Sequence, residues 1–160
     1  MAVLVPATLR RSLVVSYIHG ESDQDRPVRA GTLLPHGCAG DMVFAAGARG
    51  LPVPACYSET EWARLVGRAC DQGIAFDHQY ISPTVTCVAA PVRTPSGKIV
   101  AAVGAAVVDR RRLAAIANGA RRTAEVIGAN LARLPATHRA LSPCLDDLTF
   151  SGTPSRRNGQ

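Results

Sequence analysis

Residues 73–107 read GIAFDHQYISPTVTCVAAPVRTPSGKIVAAVGAAV, and this stretch decides the fold. Gly73 supplies a left-handed stop for a preceding helix. A short apolar strand follows and stops at Asp77. A loop carries Pro83, and an apolar strand then runs from Thr84 to Val92. Thr94-Pro95-Ser96-Gly97 fits a type I turn, with Pro at the second position and Gly at the fourth. A second apolar strand returns from Ile99 to Val108. Two adjacent apolar strands joined by a tight turn make a hairpin buried on at least one face.

The helix ahead of Gly73 carries the sharpest local signals. Ser58-Glu59-Thr60-Glu61 is a capping box, with Ser58 as N-cap. Trp62, Leu65, Val66 and Ala69 follow at helical spacing and make one apolar face. Trp62 reads as a core anchor. A last helix is expected after Asp109, a suitable N-cap. Its stripe is Leu113, Ile116, Ala117, Ala120, Ala124, Ile127, Leu131 and Leu134. Toward the N-terminus, residues 2–6 and 12–18 read as two strands, Gly20 to Arg26 as a loop and residues 28–34 as a third strand. Pro35 to Gly37 lead into a short helix over residues 38–46, and Gly47 to Pro54 form a loop. After Pro135 periodicity is lost, so residues 135–160 are expected to form a mobile tail on a single domain over residues 1–134. Strands first, a helical middle, a hairpin and a closing helix suggest an α+β fold with an antiparallel sheet.

Composition narrows the function classes. A chain of 160 residues suits one domain. With 47% hydrophobic and 19% charged residues it is globular rather than disordered. Its apolar runs are too short for a membrane span, and its N-terminal residues lead to no expectation of a signal peptide. Five scattered cysteines without a CxxC pair suggest reduced thiols in a cytoplasmic protein. The net charge of +6 raises the prior for an anionic partner. The basic residues, all Arg except Lys98, fall in short clusters at 110–112, 121–122 and 156–157. Aromatics are 4% of the chain, which argues against a base-stacking surface. The clusters on the last helix read most simply as a solvated face, with direct nucleic-acid binding as the alternative. His19, His36, His78 and His138 share no ligand spacing, so neither a metal site nor a cofactor is expected.

The hairpin stretch resembles the effector-binding domain of the isocitrate lyase regulator (IclR) family of bacterial transcription factors. The resemblance rests on Gly73, Phe76, Asp77, Pro83, Cys87, Ala89, Ala90, Pro91, Val92, Gly97 and the small-residue strand Ala101 to Ala106. A second block, Leu33-Leu34-Pro35-His36 through Ala39-Gly40 to Phe44-Ala45-Ala46, resembles an upstream segment of the same family. There Asp41 stands where the family usually has Lys. The resemblance implies a GAF/PAS-like fold, a curved antiparallel sheet with helices packed on it and cupping a small pocket. It implies a sensor of a small organic acid, working as a homodimer or homotetramer and not as an enzyme. It implies ligand contacts at Cys38, Ala39, Asp77, Val85, Cys87, Gly104 and Ala106. A helix start at Cys38 to Gly40 would offer free N–H groups to an acceptor. Asp77 could accept from a ligand donor.

Gly104 and Ala106 hold positions where family members that bind small keto acids often have Ser. Loss of both hydroxyls is expected to enlarge the pocket and favour a bulkier, aromatic acid. It also leaves open that effector binding has been lost. Each site residue also has a plain structural reading. Cys87 could be core, Asp77 could cap the loop after its strand, and Gly104 and Ala106 could be small for close packing. Cys87 as a nucleophile would need a nearby base, which no spacing supplies. From the residues given, neither a helix-turn-helix ahead of the early strands nor the domain's first helix is expected in this chain. DNA contact is therefore expected only indirectly, through a helix-turn-helix domain not in this chain. A truncated or stand-alone sensor is the alternative.

Overall fold

The computed structural model describes residues 1–7, 11–18, 28–48, 51–78 and 85–133. The loop read over 20–26, the Pro83 loop, His19, His138 and the tail 135–160 lie outside the described residues.

Five strands form one antiparallel sheet in the order β2-β1-β5-β4-β3. They are β1 (Ala2–Pro6), β2 (Ser12–Tyr17), β3 (Ala75–His78), β4 (Thr86–Arg93) and β5 (Ile99–Val107). Three α-helices complete the fold: α1 (Ala39–Gly47), α2 (Glu59–Gln72) and α3 (Leu113–Ala132). The α+β expectation therefore holds.

The sheet separates two cores, and side-chain alternation sorts residues between them. On one face Leu4, Val14, Ala75, Ala89 and Ala102 pack against Ala39, Met42, Val43 and Phe44 of α1 and Trp62 and Ala69 of α2. On the other, Val88, Ala90, Val92 and Val103 meet Ala117, Ala120 and Ala124 of α3. Strands β4 and β5 are covered on both sides, which is why they read as near-continuous apolar runs. Small residues let the helices approach closely. A Cβ at Gly128 in α3 would stand 2.7 Å from the Arg93 carbonyl oxygen of β4.

The signals at the two ends of α2 hold. Ser58 caps α2 by accepting from the Glu61 N–H (3.2 Å), and Gly73 closes it at φ 62°. Trp62 is buried and stacks on Tyr57 at a ring separation of 5.5 Å. The β4–β5 turn is closed by Gly97 N–H donating to the Thr94 carbonyl (2.8 Å).

Three expectations change. Residues 28–34 form no strand but run beside β2 with a single bridge, Leu13 to Leu33. A turn over Arg29–Thr32, with Gly31 at φ 88°, uses up the first half of the segment, and Pro35 stops the second. Asp109 caps a 3-10 turn over Arg110–Arg112, accepting from the Arg111 N–H (2.9 Å), and the α-helix begins only at Leu113. Strand β3 does not stop at Asp77 but continues to His78.

Candidate functional site

A cavity of about 360 Å³ lies between the sheet and the start of α1. Its floor is the α1 side of the sheet: Ala2 and Leu4 from β1, Cys87 from β4, and Gly104 and Ala106 from β5. Its roof is Cys38, Ala39 and Gly40. Val14, Tyr17, Val28 and Leu34 close one side, and Val85 stands at the start of β4. Leu4, Val14, Cys38, Ala39 and Val85 are buried, so the walls are made of core. A wider depression of about 570 Å³ lies between α3 and the β4–β5 turn, but exposed side chains such as Arg93 and Glu125 line it.

The geometry follows from register. Asp77, Cys87 and Ala106 stand opposite one another on β3, β4 and β5. Ala75, Ala89, Gly104 and Ala2 form the next row on the same face. Cys87 is half-buried and Ala106 is exposed at the rim. Six of the seven residues named from the sequence thus converge on one cavity. Asp77 is buried (2% exposed) one strand farther out, opposite the lining residue Cys87 and outside the lining itself.

Of the two readings of Gly104, close packing fits, with Leu4 of β1 rather than a helix as the neighbour. A Cβ there would meet Leu4 Cδ1 at 3.1 Å, so Leu4 already fills the space that the missing side chain vacates. The absent hydroxyl removes a polar anchor without adding volume at that point.

The start of α1 is built around a residue the site reading left out. Asp41 is 3% exposed, in the first turn of α1. Ser12 Oγ, on β2, donates to its Oδ1 (2.6 Å). The Gly37 N–H donates to its Oδ2 (2.8 Å), and the Cys38 thiol leans on Oδ1 (3.6 Å). Gly40 lets the helix come this close, since a Cβ there would collide with Ser12 Oγ. Cys38 is the N-cap residue, but its side chain caps nothing. Burial first, and the Asp41 carboxylate second, push its thiol from 9.0 up to about 12. Cys38 is therefore a protonated, inert wall near neutral pH. Ala39 and Gly40, in the first turn of α1, have N–H groups with no carbonyl one turn back within the helix, and both residues line the roof.

Along the chain's surface, Arg110–Arg112 are exposed, and Arg121 donates to the Gln72 carbonyl (3.0 Å), tying α3 to the end of α2. Among the described residues no group of three or more His, Cys, Asp or Glu could hold a metal ion. No described helix is long and apolar enough to cross a membrane.

No protein-family model matches this chain, and no curated protein matches it in sequence. Solved structures do match. An IclR homolog complexed with 4-hydroxybenzoate from Microbacterium hydrocarbonoxydans superposes with a TM-score of 0.68 at 21% identity, over 81% of this chain and 59% of that one. An IclR-family regulator from Rhodococcus sp. gives 0.69 at 17%, over 80% and 55%. A single domain of another IclR-family regulator gives 0.71 at 18%, over 81% and 84%. These neighbours are transcriptional regulators rather than enzymes, and the chain shares their fold. It spans 58%, 61% and 59% of the length of three regulators it matches.

Proposed function

We propose that this chain is the effector-binding domain of a transcriptional regulator, and that the cavity between α1 and the sheet holds the effector. The observation that carries the reading is the convergence of Cys38, Ala39, Val85, Cys87, Gly104 and Ala106 on that one cavity. The cavity lies in the size range of small-molecule sites, room for a single aromatic ring and its substituents. Its wall is mostly aliphatic, which suits the aromatic end of the organic-acid range better than a two- or three-carbon acid. That a structural neighbour carries 4-hydroxybenzoate supports the same size class. Asp77 is included in the proposed site as the buried carboxyl opposite Cys87 on β3, at the cavity's edge.

In this reading the domain assembles as a homodimer or homotetramer. Effector binding shifts the balance between two subunit arrangements, and DNA is engaged only through a separate helix-turn-helix domain. The test is a thermal-shift screen of small aliphatic and aromatic organic molecules against the native chain and Asp77→Ala. A ligand at one hundred times its Kd stabilises by about 2.7 kcal/mol, a readable shift. Loss of that shift in a cooperatively melting Asp77→Ala supports the site. A cooperative melt of the native chain that no compound moves sinks the reading.

A further inference from the structure

We infer that the outward face of α3 is a self-recognition surface, on which a second copy of this chain docks antiparallel through reciprocal Arg122–Glu125 ion pairs. The inference rests on the homo-oligomer of the proposed function and names the surface that makes it.

Three observations carry it. First, α3 has a long face that no other described element covers. The helix runs for 20 residues, about 30 Å. Ala117, Ala120, Ala124 and Gly128 are buried on its sheet side. Ala115, Asn118, Arg122, Glu125 and Ala129 alternate at spacings of three and four residues on the solvent side, and all are exposed. That is the seam of helices that pack along their length. Beside it Val126 is 59% exposed.

Second, the seam is shaped for close approach. Alanines stand near both of its ends, and small side chains bring two helix axes toward the short end of the roughly 8–10 Å packing range.

Third, its charges complement themselves. Among the described residues neither Arg122 nor Glu125 has an ion-pair partner. Neighbouring Arg121 is already tied to the Gln72 carbonyl. In a two-fold interface, residue i meets j and j meets i. With the helices antiparallel and the axis level with Thr123 and Ala124, Arg122 meets the partner's Glu125, and Glu125 meets the partner's Arg122. The same register sets Asn118 against the partner's Ala129. A parallel, in-register pairing would set Arg122 against the partner's Arg122, so charge selects the antiparallel form. A contact made by two helices lies at the low end of interface sizes, so the dimer is expected to be reversible and weakened by salt.

The test is sedimentation equilibrium from about 10 to 200 µM on the native chain, Arg122→Glu, Glu125→Arg and an equimolar mixture of the two variants. Both positions are exposed, so each variant is expected to keep a cooperative melt. The native mass is expected to rise toward twice that of the monomer. Each single variant sets like charges against each other and is expected to raise the dimer Kd at least about tenfold. The mixture is expected to return to within about threefold of the native Kd, because both pairs re-form between the two variants, one with its signs exchanged. A mixture that stays as weak as its components overturns the reciprocal pairing. A native oligomer that neither substitution weakens places assembly on another surface and overturns this inference alone. A native chain that stays monomeric throughout overturns both this surface and the homo-oligomer. The effector cavity is read separately, by the ligand-induced thermal shift.

Discussion

Ser12 Oγ donates to Asp41 Oδ1 at 2.6 Å, across 29 residues of sequence and with both residues buried. This bond fastens β2 to the first turn of α1 and so fixes the roof of the cavity over its floor. A buried carboxylate that loses one of its donors keeps its desolvation cost.

Ser12→Ala is therefore expected to destabilise the fold by about 2 kcal/mol. Urea denaturation reads this as a lower midpoint with an unchanged slope. A midpoint that does not move would mean that Asp41 finds another donor.

Two glycines of the helices predict opposite signs. Gly128→Ala places a Cβ 2.7 Å from the Arg93 carbonyl, which is backbone and cannot turn aside. The expected cost is about 1–3 kcal/mol despite the better helix former. Gly67, exposed in α2, has nothing within 4 Å of its would-be Cβ. Gly67→Ala is expected to gain about 0.5–1 kcal/mol. Thermal melts of the pair check both.

Ala106 lines the cavity from the exposed rim. Ala106→Trp is expected to abolish ligand-induced stabilisation while leaving the melting temperature of the free protein within about 2 °C, since exposed substitutions stay near ±0.5 kcal/mol. Retained ligand shifts in this variant would place binding elsewhere.

Cys38 gives a pH signature. Its folded thiol titrates near 12 against 9.0 as a free group. Above pH 9 the unfolded chain releases this proton and the folded one keeps it, so the unfolded state binds fewer protons and gains. The contribution is whole below pH 9 and is lost as pH rises from 9 toward 12. Cys38→Ala is expected to fall off less steeply across that window in urea titrations. A thiol probe at pH 8 is expected to label exposed Cys56 and Cys70 and to reach Cys38 only in denaturant.

Much of this was written locally. The α2 boundaries follow from Ser58 and Gly73 because caps act over one turn, and the hairpin follows from Thr94 to Gly97. The floor positions Cys87, Gly104 and Ala106 were named through the family resemblance, not through periodicity, and strand register sets them on one face. The roof's key residue was not. Asp41 looks like any acidic residue in a first helical turn, and its burial depends on Ser12, which nothing nearby in sequence announces. The segment 28–34 was misread because its apolar content was taken for strand pairing. Residues 31–34 do bond to the β2 backbone, but the turn over Arg29–Thr32 limits the pairing to one bridge, and Val28 and Leu34 wall the cavity. At Gly104 the sequence left an enlarged pocket and close packing both open, because Leu4, the packing neighbour, lies 100 residues earlier.

The pairing of Ala2 with Gly104 joins the two ends of the described fold. Strand β1 has no partner beyond its own hairpin until β5 has been made and laid against β4. Non-local pairings of this kind close late and slowly. The β4–β5 hairpin must therefore be in place before β1 can dock beside it. Leu4 and Val14 arrive with that last docking step, so the chamber they wall is the final thing the chain builds.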